Sequence, residues 1–526
     1  MNFLILILII FMGCKKAPPH KEKGHSLRLA IHTEPPTLDA RRATDTSSVA
    51  VIRMCFEGLM RRVQGEGPQL ALAEKVKISD GGRVYTFYLR SAYWWDGAPI
   101  KASDFEKTWK TILSPNFNSP FASELFILKN GAKAKEGLCS TEEVGVQALT
   151  DWKLRVELEH PVPYFLDLIA SHSFLPVPQH IAGAHPDWAE NPKHFVGNGP
   201  FKLVKWHRHQ DLVLKKNNAY WDKDAVSIQE IRLSIIHDET TALNMFEVGE
   251  VDWAGNPLSN LPPDAAQALA QQDRLHTYPI SGTYYYIFNV QQEPFNNLNL
   301  RKAFTLAINR REITENIIQS KQQPATSLVP PTIWDISEPF FDDNAVEEAR
   351  RLFELGLQEQ GYTRDTLPTI TLTYNNAPTH HKIAQAIQDQ WYRALGVRVE
   401  LNNVKWETFY DDLNNKNFHV ARMGGVASFN DPLTFLDLYR NEKGGSNFSG
   451  WSNPRFNELL EEANQTTNMV KREALLRSAE KIFIDEMPIA PIYYYTGTYV
   501  KQPYVKSVQL SELNEANFKF AYLDNR

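Results

Sequence analysis

The sequence has few cysteines, no strong charge imbalance and no apolar run long enough to cross a membrane. Three cysteines in 526 residues are too few for a scaffold built on disulfides. The 56 basic and 62 acidic residues give a net charge of −6, and no basic stripe is present to neutralise nucleic-acid phosphates. Because 43% of the residues are hydrophobic, the chain can fill several cores. We expect a multidomain globular protein that does not bind nucleic acid.

The motifs of the common enzyme classes are also missing. The sequence contains no Walker A loop, no GxGxxG after a strand, and no HExxH, GxSxG or CxxC motif. The GNGP segment at 197–200 ends in a proline, whose fixed φ and missing N–H spoil a phosphate cradle. The close histidine groups at 207–209 and 380–381 lack the spacing of metal ligands on a helix face, and we interpret them as solvated. We therefore expect no catalytic residues, no metal and no cofactor.

The first 25 residues have the pattern of an export signal. The apolar run Phe3–Met12 would rise only about 15 Å as a helix, half the thickness of the hydrocarbon core of a bilayer. It ends at Gly13-Cys14, which resembles a bacterial lipoprotein signal, in which the cysteine becomes the lipidated first residue. We expect a signal peptide over 1–13, a tether over 14–26 and an extracytoplasmic protein lipid-anchored at Cys14. An ordinary secretory signal with an incidental cysteine is the alternative.

Cys55 and Cys139 are the remaining cysteines. Cys55 lies in an apolar stretch, where a buried thiol is the simpler interpretation. A Cys55–Cys139 disulfide is the alternative, since exported proteins permit disulfides.

Strand-like and helix-like periods alternate along the chain. In 83–90 the residues Tyr85, Phe87 and Leu89 share one face, which is typical of a half-buried strand, and 153–158 alternates in the same way. In 300–318 the apolar residues follow helical spacing. The chain is predicted to be a mixed α/β protein.

The segment 369–425 has a more specific pattern. Strand-like runs at 369–374, 397–401 and 418–422 alternate with helical patterns at about 380–395 and from about Trp406. This order predicts a parallel sheet with right-handed crossovers. The last strand leads to two glycines at 424–425, and ligands bind such sheets at the carboxyl ends of the strands. A plain turn is the alternative interpretation of the two glycines.

Several segments together are similar to the peptide-class extracytoplasmic solute-binding proteins of ABC importers. The fullest match is LAEKVKISDGGRVYTFYLRSAYWWDGAPIKASDFEKTW at 72–109, and the others follow in the family's order along 27–526. They are HPVPYF at 160–165, GNGPF at 197–201, NNAYW at 217–221, PFNNLNLRKAFTLAINR at 294–310 and PIYYY at 491–495. Within the family, the chain most resembles oligopeptide-binding members and a relative that binds murein tripeptide.

The resemblance implies an α/β, bilobal periplasmic-binding-protein fold with an additional inserted domain and a ligand cleft between the lobes. Carried over, lobe I is discontinuous and the βαβ pattern falls inside lobe II. The expected boundaries are 27–56, 181–280 and 496–526 for lobe I, 57–180 for the inserted domain and 281–495 for lobe II.

The resemblance also implies a function without catalysis. The protein would be a monomer that encloses short peptides and delivers them to ABC permease subunits, with membrane contact through the lipid anchor only. In the family, strands pair with the main chain of an extended ligand, so affinity comes from groups that every peptide carries. A receptor for murein tripeptide or another solute is the first alternative, and an exported enzyme is the second.

The resemblance assigns ligand contacts to particular positions. Segments 44–47 and 424–428 match pairing strands, three aromatic residues match cleft walls, and His380 and Arg422 match residues that meet the carboxylate end of ligands. Core filling remains the alternative for the aromatic Trp406, and a structural ion pair for Arg422. The assigned positions are Thr44, Tyr285, His380, Trp406, Arg422, Gly424, Gly425, Val426, Ser428 and Tyr494.

Ser428 departs from the family pattern. The matching position normally carries an aspartate that pairs with the α-ammonium of the ligand, and serine cannot form that ion pair. An unpaired ammonium in the site would lose on the order of 2–5 kcal/mol of binding energy. Either Asp431 or another carboxylate supplies the missing charge, or the ligand presents its amine elsewhere, or the affinity is lower.

Overall fold

The computed structural model describes residues 26–63, 65–335, 338–440 and 447–524. The export-signal pattern and Cys14 lie outside these residues. In the part of the chain that is described, no helix combines the length and apolar character needed to cross a bilayer.

Strands are distributed along the whole of the described chain. They are β1 (Ser26–Ile31), β2 (Met60–Val63), β3 (Gly67–Leu70), β4 (Ala73–Ser79), β5 (Val84–Leu89), β6 (Val146–Thr150), β7 (Lys153–Glu157), β8 (Phe201–His207), β9 (Asp211–Lys216), β10 (Glu230–Ile235), β11 (Trp253–Gly255), β12 (His276–Phe288), β13 (Gln323–Pro324), β14 (Ile370–Asn375), β15 (Val399–Val404), β16 (Val420–Val426), β17 (Ile489–Lys501), β18 (Val505–Lys506), β19 (Gln509–Ser511), β20 (Glu515–Asn517) and β21 (Tyr522–Leu523).

Helices lie between these strands. They are α1 (Thr46–Cys55), α2 (Ala102–Ile112), α3 (Gly131–Lys135), α4 (Phe165–Leu168), α5 (Gln179–Ala182), α6 (Glu239–Glu247), α7 (Pro263–Gln271), α8 (Leu298–Leu306), α9 (Arg310–Glu312), α10 (Val346–Gln360), α11 (Pro378–Leu395), α12 (Trp406–Asn414), α13 (Leu433–Leu436), α14 (Pro454–Gln465) and α15 (Met469–Glu486).

One large mixed sheet runs through the molecule. Its order is β15-β14-β16-β12-β17-β11-β1-β10-β9-β8, with β13 beside β17. A separate antiparallel sheet has the order β4-β5-β7-β6. Its strand β5 is the strand predicted at 83–90. Tyr85, Phe87 and Leu89 of β5 are all buried, as the alternation indicates. The α/β prediction is confirmed.

The predicted parallel unit at 369–425 is confirmed as β14-α11-β15-α12-β16. Strand β14 lies between β15 and β16 and is parallel to both. Helix α11 begins at a proline, whose fixed φ suits the first helical turn, and ends before Gly396, which has a φ of 72°. Strand β16 continues through the two glycines to Val426, so these glycines form strand and not a turn.

The apolar core falls into two large clusters joined by two long strands. One cluster contains residues from Leu27 to Ile280 together with the C-terminal segment from Val505, and the other runs from Tyr284 to Tyr493. Strands β12 and β17 have 13 residues each and pass from one cluster to the other. Their pairing shifts register between Pro279 and Thr283, where β12 passes from one cluster to the other. The domain boundaries given above stay a prediction.

Two segments differ from the sequence-based expectation. The helical pattern at 300–318 breaks after α8, because Asn309 caps a new turn by accepting a hydrogen bond from the Glu312 N–H at 2.9 Å. Residues 44–47 do not form the expected pairing strand, because Asp45 caps α1 and the helix begins at Thr46. Cys55 and Cys139 are both free, so the disulfide alternative is wrong.

Candidate functional site

The carboxyl ends of three parallel strands meet at one edge of the large sheet. Strand β14 ends at Asn375, β15 at Val404 and β16 at Val426. The Asn376 N–H donates to the carbonyl oxygen of Val404 at 2.9 Å and ties two of these ends together. Parallel sheets place ligands outside this edge, and we call it the carboxyl edge.

Arg422 brings a positive charge to the carboxyl edge. It lies on β16, partly buried, with its guanidinium carbon 4.9 Å from the ring centre of Tyr284. Its Nη1 is 3.5 Å from Asn375 Oδ1, and its buried Nε has no hydrogen-bond partner. Among the described residues no carboxylate lies within 4.0 Å of this guanidinium. The structural ion pair considered from the sequence is therefore not formed.

His380 lies next to Arg422 and is uncharged. Its Nδ1 is 3.2 Å from the phenol oxygen of Tyr284, at the first turn of α11. Burial, followed by the positive charge of Arg422, lowers the pKa of His380 to about 3. The imidazole is therefore neutral at physiological pH, and it can form a hydrogen bond without adding charge.

Strand β16 has an open main-chain edge beside these side chains. Residues 424–426 pair with 282–284 of β12 on one side. On the other side, β14 pairs with β16 only through Val420 and Ala421. In the described chain no strand pairs with this second edge of 424–426, where an extended strand presents N–H and C=O groups. A main chain from another molecule can bind there.

The two glycines of β16 have different surroundings. A Cβ at Gly424 would overlap the phenol oxygen of Tyr495, so this glycine is required by the close approach of that ring. A Cβ at Gly425 would meet nothing within 4 Å, and the neighbouring Val426 side chain is 45% exposed. Gly425 and Val426 thus leave open space along the free edge.

The three expected aromatic walls have different positions. Trp406, the first residue of α12, is 53% exposed and stacks on Tyr410 with ring centres 6.0 Å apart, so it is not core filling. Tyr285 belongs to the second apolar cluster and is 4% exposed, and Tyr494 is also buried, at 8% exposure. Both belong to the central strands β12 and β17, which are covered on both faces and leave little ring surface exposed.

The remaining assigned positions lie in loops. Thr44 is exposed and precedes α1. Ser428 is exposed, and its N–H donates to Thr434 Oγ1 at 3.0 Å. Asp431 is buried against Arg472, with two hydrogen bonds of 2.7 and 2.9 Å, so its negative charge is already balanced.

The loop after β16 also contacts residues that are distant in the chain. The ring of Phe429 stacks on Tyr164 with centres 4.4 Å apart and planes 9° apart. The Asn430 N–H donates to Asp167 Oδ2 at 2.9 Å, and Asp167 is itself held by Arg62. These contacts connect the segment carrying Ser428 to residues of the expected inserted domain.

Sequence reasoning missed three residues around Arg422. Tyr284 and Tyr495 were visible only as members of tyrosine clusters, which predict packing as readily as binding. Asn375 carried a usable signal, because it directly follows the predicted strand at 369–374 and the ends of parallel strands line ligand sites.

A family model and several known proteins match the chain. The model described as "Bacterial extracellular solute-binding proteins, family 5 Middle" matches residues 67–447. The oligopeptide-binding protein OppA of Bacillus subtilis is 41% identical over 503 residues, covering 94% of this chain and 92% of that protein.

Solved structures match over nearly the whole chain. The murein tripeptide binding protein MppA of Escherichia coli has a TM-score of 0.79 at 30% identity, covering 96% of this chain and 99% of that one. Haemophilus influenzae OppA in complex with RPPGFSPFR has a TM-score of 0.77 at 25% identity, covering 95% and 99%.

Proposed function

Since the chain belongs to the family of bacterial extracellular solute-binding proteins, family 5, we propose that it is the peptide-binding subunit of an ABC importer. The resemblance seen in the sequence and the bilobal α/β fold are confirmed by the same comparisons. Members of this family are extracytoplasmic substrate-binding proteins. The protein takes a short peptide between its lobes and presents it to the permease.

The single observation that carries the peptide proposal is the open edge of 424–426 beside Arg422. A peptide laid along this edge adds a strand to β16, and main-chain hydrogen bonds of that kind do not depend on the peptide's sequence. Arg422 lies at the same edge with no carboxylate within ion-pair distance among the described residues. An extended ligand that ends in a carboxylate matches both features.

The other assigned residues have secondary roles in this proposal. His380 is neutral and donates or accepts one hydrogen bond near the carboxylate of the ligand. Trp406 and Val426 offer exposed apolar surface to side chains of the ligand. Thr44 contributes from the first lobe, Ser428 lies at the amine end, and Tyr285 and Tyr494 support the edge from the core.

Two measurements on the purified protein test the proposal. Mass spectrometry after mild denaturation should identify short peptides that the protein retained from its host. Calorimetric titration with tri- to pentapeptides should show saturable binding that is weakened when the carboxyl end is amidated. Retention of a solute that is not a peptide, together with no heat from any peptide tested, would refute the proposal.

Murein tripeptide is the second candidate ligand. The structural match to E. coli MppA supports it, and so does Ser428, because a site without a carboxylate at that position suits a ligand whose amine lies elsewhere. Competition between murein tripeptide and a common tripeptide separates the candidates, since the preferred ligand displaces the other at equal concentration.

Lipid anchoring at Cys14 is the further part of the proposal. The apolar run ending in Gly13-Cys14 supports it, and residues 14–26 serve as the tether. Metabolic labelling with palmitate should mark the wild type and leave Cys14→Ala unlabelled. Equal labelling of the two proteins would contradict the anchor.

Closure of the lobes over the ligand completes the proposed mechanism. The hinge consists of β12 and β17, because these strands cross the expected boundary between lobe I (27–56, 181–280 and 496–526, with 57–180 inserted) and lobe II (281–495). The ligand favours the closed form because it binds that form more tightly. Small-angle scattering of the monomer should give a smaller radius of gyration at saturating peptide. An unchanged radius with calorimetrically proven binding would argue against closure.

A further inference from the structure

Two imidazoles and a carboxylate meet near the protein surface and share no residue with the carboxyl edge. They belong to His185, Asp187 and His194, between α5 and β8. One candidate ligand atom from each residue lies within 4.8 Å of the other two. The sequence did not suggest this group, because nine positions separate the two histidines and no helix joins them.

One of the three side-chain pairs already has the separation of metal ligands. The Nδ1 of His194 is 3.2 Å from Asp187 Oδ1, and the rings of His185 and His194 stack with centres 3.9 Å apart and planes 20° apart. Tetrahedral Zn²⁺ with bonds of about 2.0–2.1 Å holds its ligand atoms about 3.3 Å apart. The Asp187–His194 separation already fits, and rotation of His185 about its side-chain bonds can supply the rest.

Buried packing holds the group in place. Trp188 follows Asp187 in the chain, and Phe195 follows His194. Both are buried, and their rings stack with planes 6° apart. The main-chain N–H of Trp188 donates to the carbonyl oxygen of His185 at 3.1 Å, and this bond fixes the turn that carries His185 and Asp187. The aromatic pair therefore fixes both backbone segments beneath the histidines.

Asn191 supports the carboxylate from behind. Its Nδ2 donates to Asp187 Oδ2 at 3.0 Å, which leaves Oδ1 directed at His194. A hydrogen bond to the second oxygen of a ligating carboxylate is the usual way in which proteins orient such a ligand. Other surface histidine–aspartate pairs in the protein, such as His207 with Asp211 at 2.7 Å, have no second imidazole among the described residues.

We propose that His185, Asp187 and His194 bind a divalent transition-metal ion of the Zn²⁺ or Ni²⁺ type. Two imidazoles and one carboxylate suit these ions better than Ca²⁺ or Mg²⁺, which prefer sites made of oxygen ligands. Three protein ligands leave at least one coordination position to water. The site does not depend on the proposed peptide function.

Metal binding would cross-link the segment 185–194 and stabilise the first lobe. This segment contacts the loop after β1, since the Leu38 N–H donates to the Ala189 carbonyl at 3.0 Å. An ion that binds only the folded protein raises its thermal midpoint with increasing metal concentration. The midpoint of the wild type should therefore rise with Zn²⁺.

The test uses untagged protein stripped with a chelator and titrated with ZnCl₂ in a buffer that does not bind metal. We expect one site with a dissociation constant below about 100 μM in the wild type. His185→Gln and His194→Gln should each weaken it about tenfold or more, comparable to the loss expected for disturbing a metal site. His207→Gln is the matched control and should bind as the wild type does.

A second measurement needs no variant. Diethyl pyrocarbonate modifies accessible histidines, and Zn²⁺ should slow the modification of His185 and His194 while leaving His207 unchanged, as mapped by mass spectrometry. The proposal is overturned if the wild type binds no Zn²⁺ in this range, if both glutamine variants keep wild-type affinity, or if Zn²⁺ protects neither histidine.

Discussion

Asp431 and Arg472 form a buried, two-pronged ion pair, with oxygen–nitrogen distances of 2.7 and 2.9 Å. The side chains are 8% and 4% exposed. Asp431 Oδ1 also accepts the Leu433 N–H at 3.0 Å, at the start of α13. The pair therefore fastens the loop after β16 to α15, and it engages the carboxylate that could otherwise have replaced the charge missing at Ser428.

Replacing Asp431 should damage stability more than binding. Asp431→Asn leaves the Arg472 guanidinium buried without its counter-charge, and breaking a buried pair in this way costs about 3–5 kcal/mol. Thermal unfolding should show a clearly lower midpoint. Asp437→Asn, which breaks an exposed pair with Arg440, is the control and should cost no more than about 1 kcal/mol. A stable Asp431→Asn protein that no longer distinguishes free from acetylated peptides would instead make Asp431 the partner of the ligand's ammonium.

Introducing a carboxylate at position 428 should improve binding of ordinary peptides. Ser428→Asp restores an ion pair with a free amino terminus, so tri- to pentapeptides should bind more tightly by calorimetric titration. Their N-acetylated forms keep the same backbone and side chains but have no charge there, and they should gain nothing. Equal effects on both forms would show that the amine pocket lies elsewhere.

Removing the positive charge at the carboxyl edge should weaken peptides that have a free carboxylate. Arg422→Met leaves the ligand's carboxylate unpaired in the site, which costs about 2–5 kcal/mol, or about thirtyfold or more in affinity. Carboxyl-amidated peptides should bind the variant and the wild type alike. Arg398→Met, at an exposed position directly before β15, should change the affinity for neither kind of peptide. A loss equal for free and amidated peptides would mean that Arg422 acts on the fold.

Glu480 should make the folded protein less stable as the pH rises. Its carboxyl group is fully buried, and Oε1 accepts the N–H groups of Leu328 and Val329 at 3.0 and 2.8 Å. Burial raises the pKa of Glu480 from 4.5 to about 8, so the folded state prefers the protonated acid. The contribution of Glu480 to the free energy of unfolding is complete below pH 4.5. It falls by up to about 4 kcal/mol as the pH rises to about 8.

Glu480→Gln tests this pH dependence, because glutamine has the same shape and does not titrate. The difference in thermal midpoint between variant and wild type should grow in favour of the variant from pH 5 to pH 8, and groups common to both proteins cancel in that difference. A difference that stays constant over this range would contradict a protonated Glu480.

The elements that the sequence predicted correctly depend on short-range periodicity. The alternation around Tyr85, Phe87 and Leu89 identified β5, and the strand–helix–strand order of 369–425 identified the parallel unit, because side-chain periods record which faces are buried. The cap at Asp45 and the break at Asn309 were missed. The Asn309 cap ends a helix that the apolar spacing predicted to continue, and the Asp45 cap begins a helix where the family resemblance implied a pairing strand.

The candidate site could be predicted only in part. The position of a residue along a strand can be read from the sequence, but the exposure of its side chain cannot. Sequence alone placed Arg422 and the two glycines at the carboxyl end of a parallel strand. It could not separate exposed Trp406 from buried Tyr285 and Tyr494, since all three are aromatic residues in amphipathic or apolar segments. Their exposure depends on which elements cover them.

The sequence by itself determined the family, the mixed α/β fold and the position of Arg422 at a strand end, since motif order and side-chain period are written along the chain. The tertiary structure alone decided that Asp431 binds Arg472, 41 positions away, while no carboxylate of the described residues reaches Arg422. It alone brought His185 against His194. Such pairings depend on how distant segments pack, and no local pattern encodes the distance between two side chains that the fold brings together.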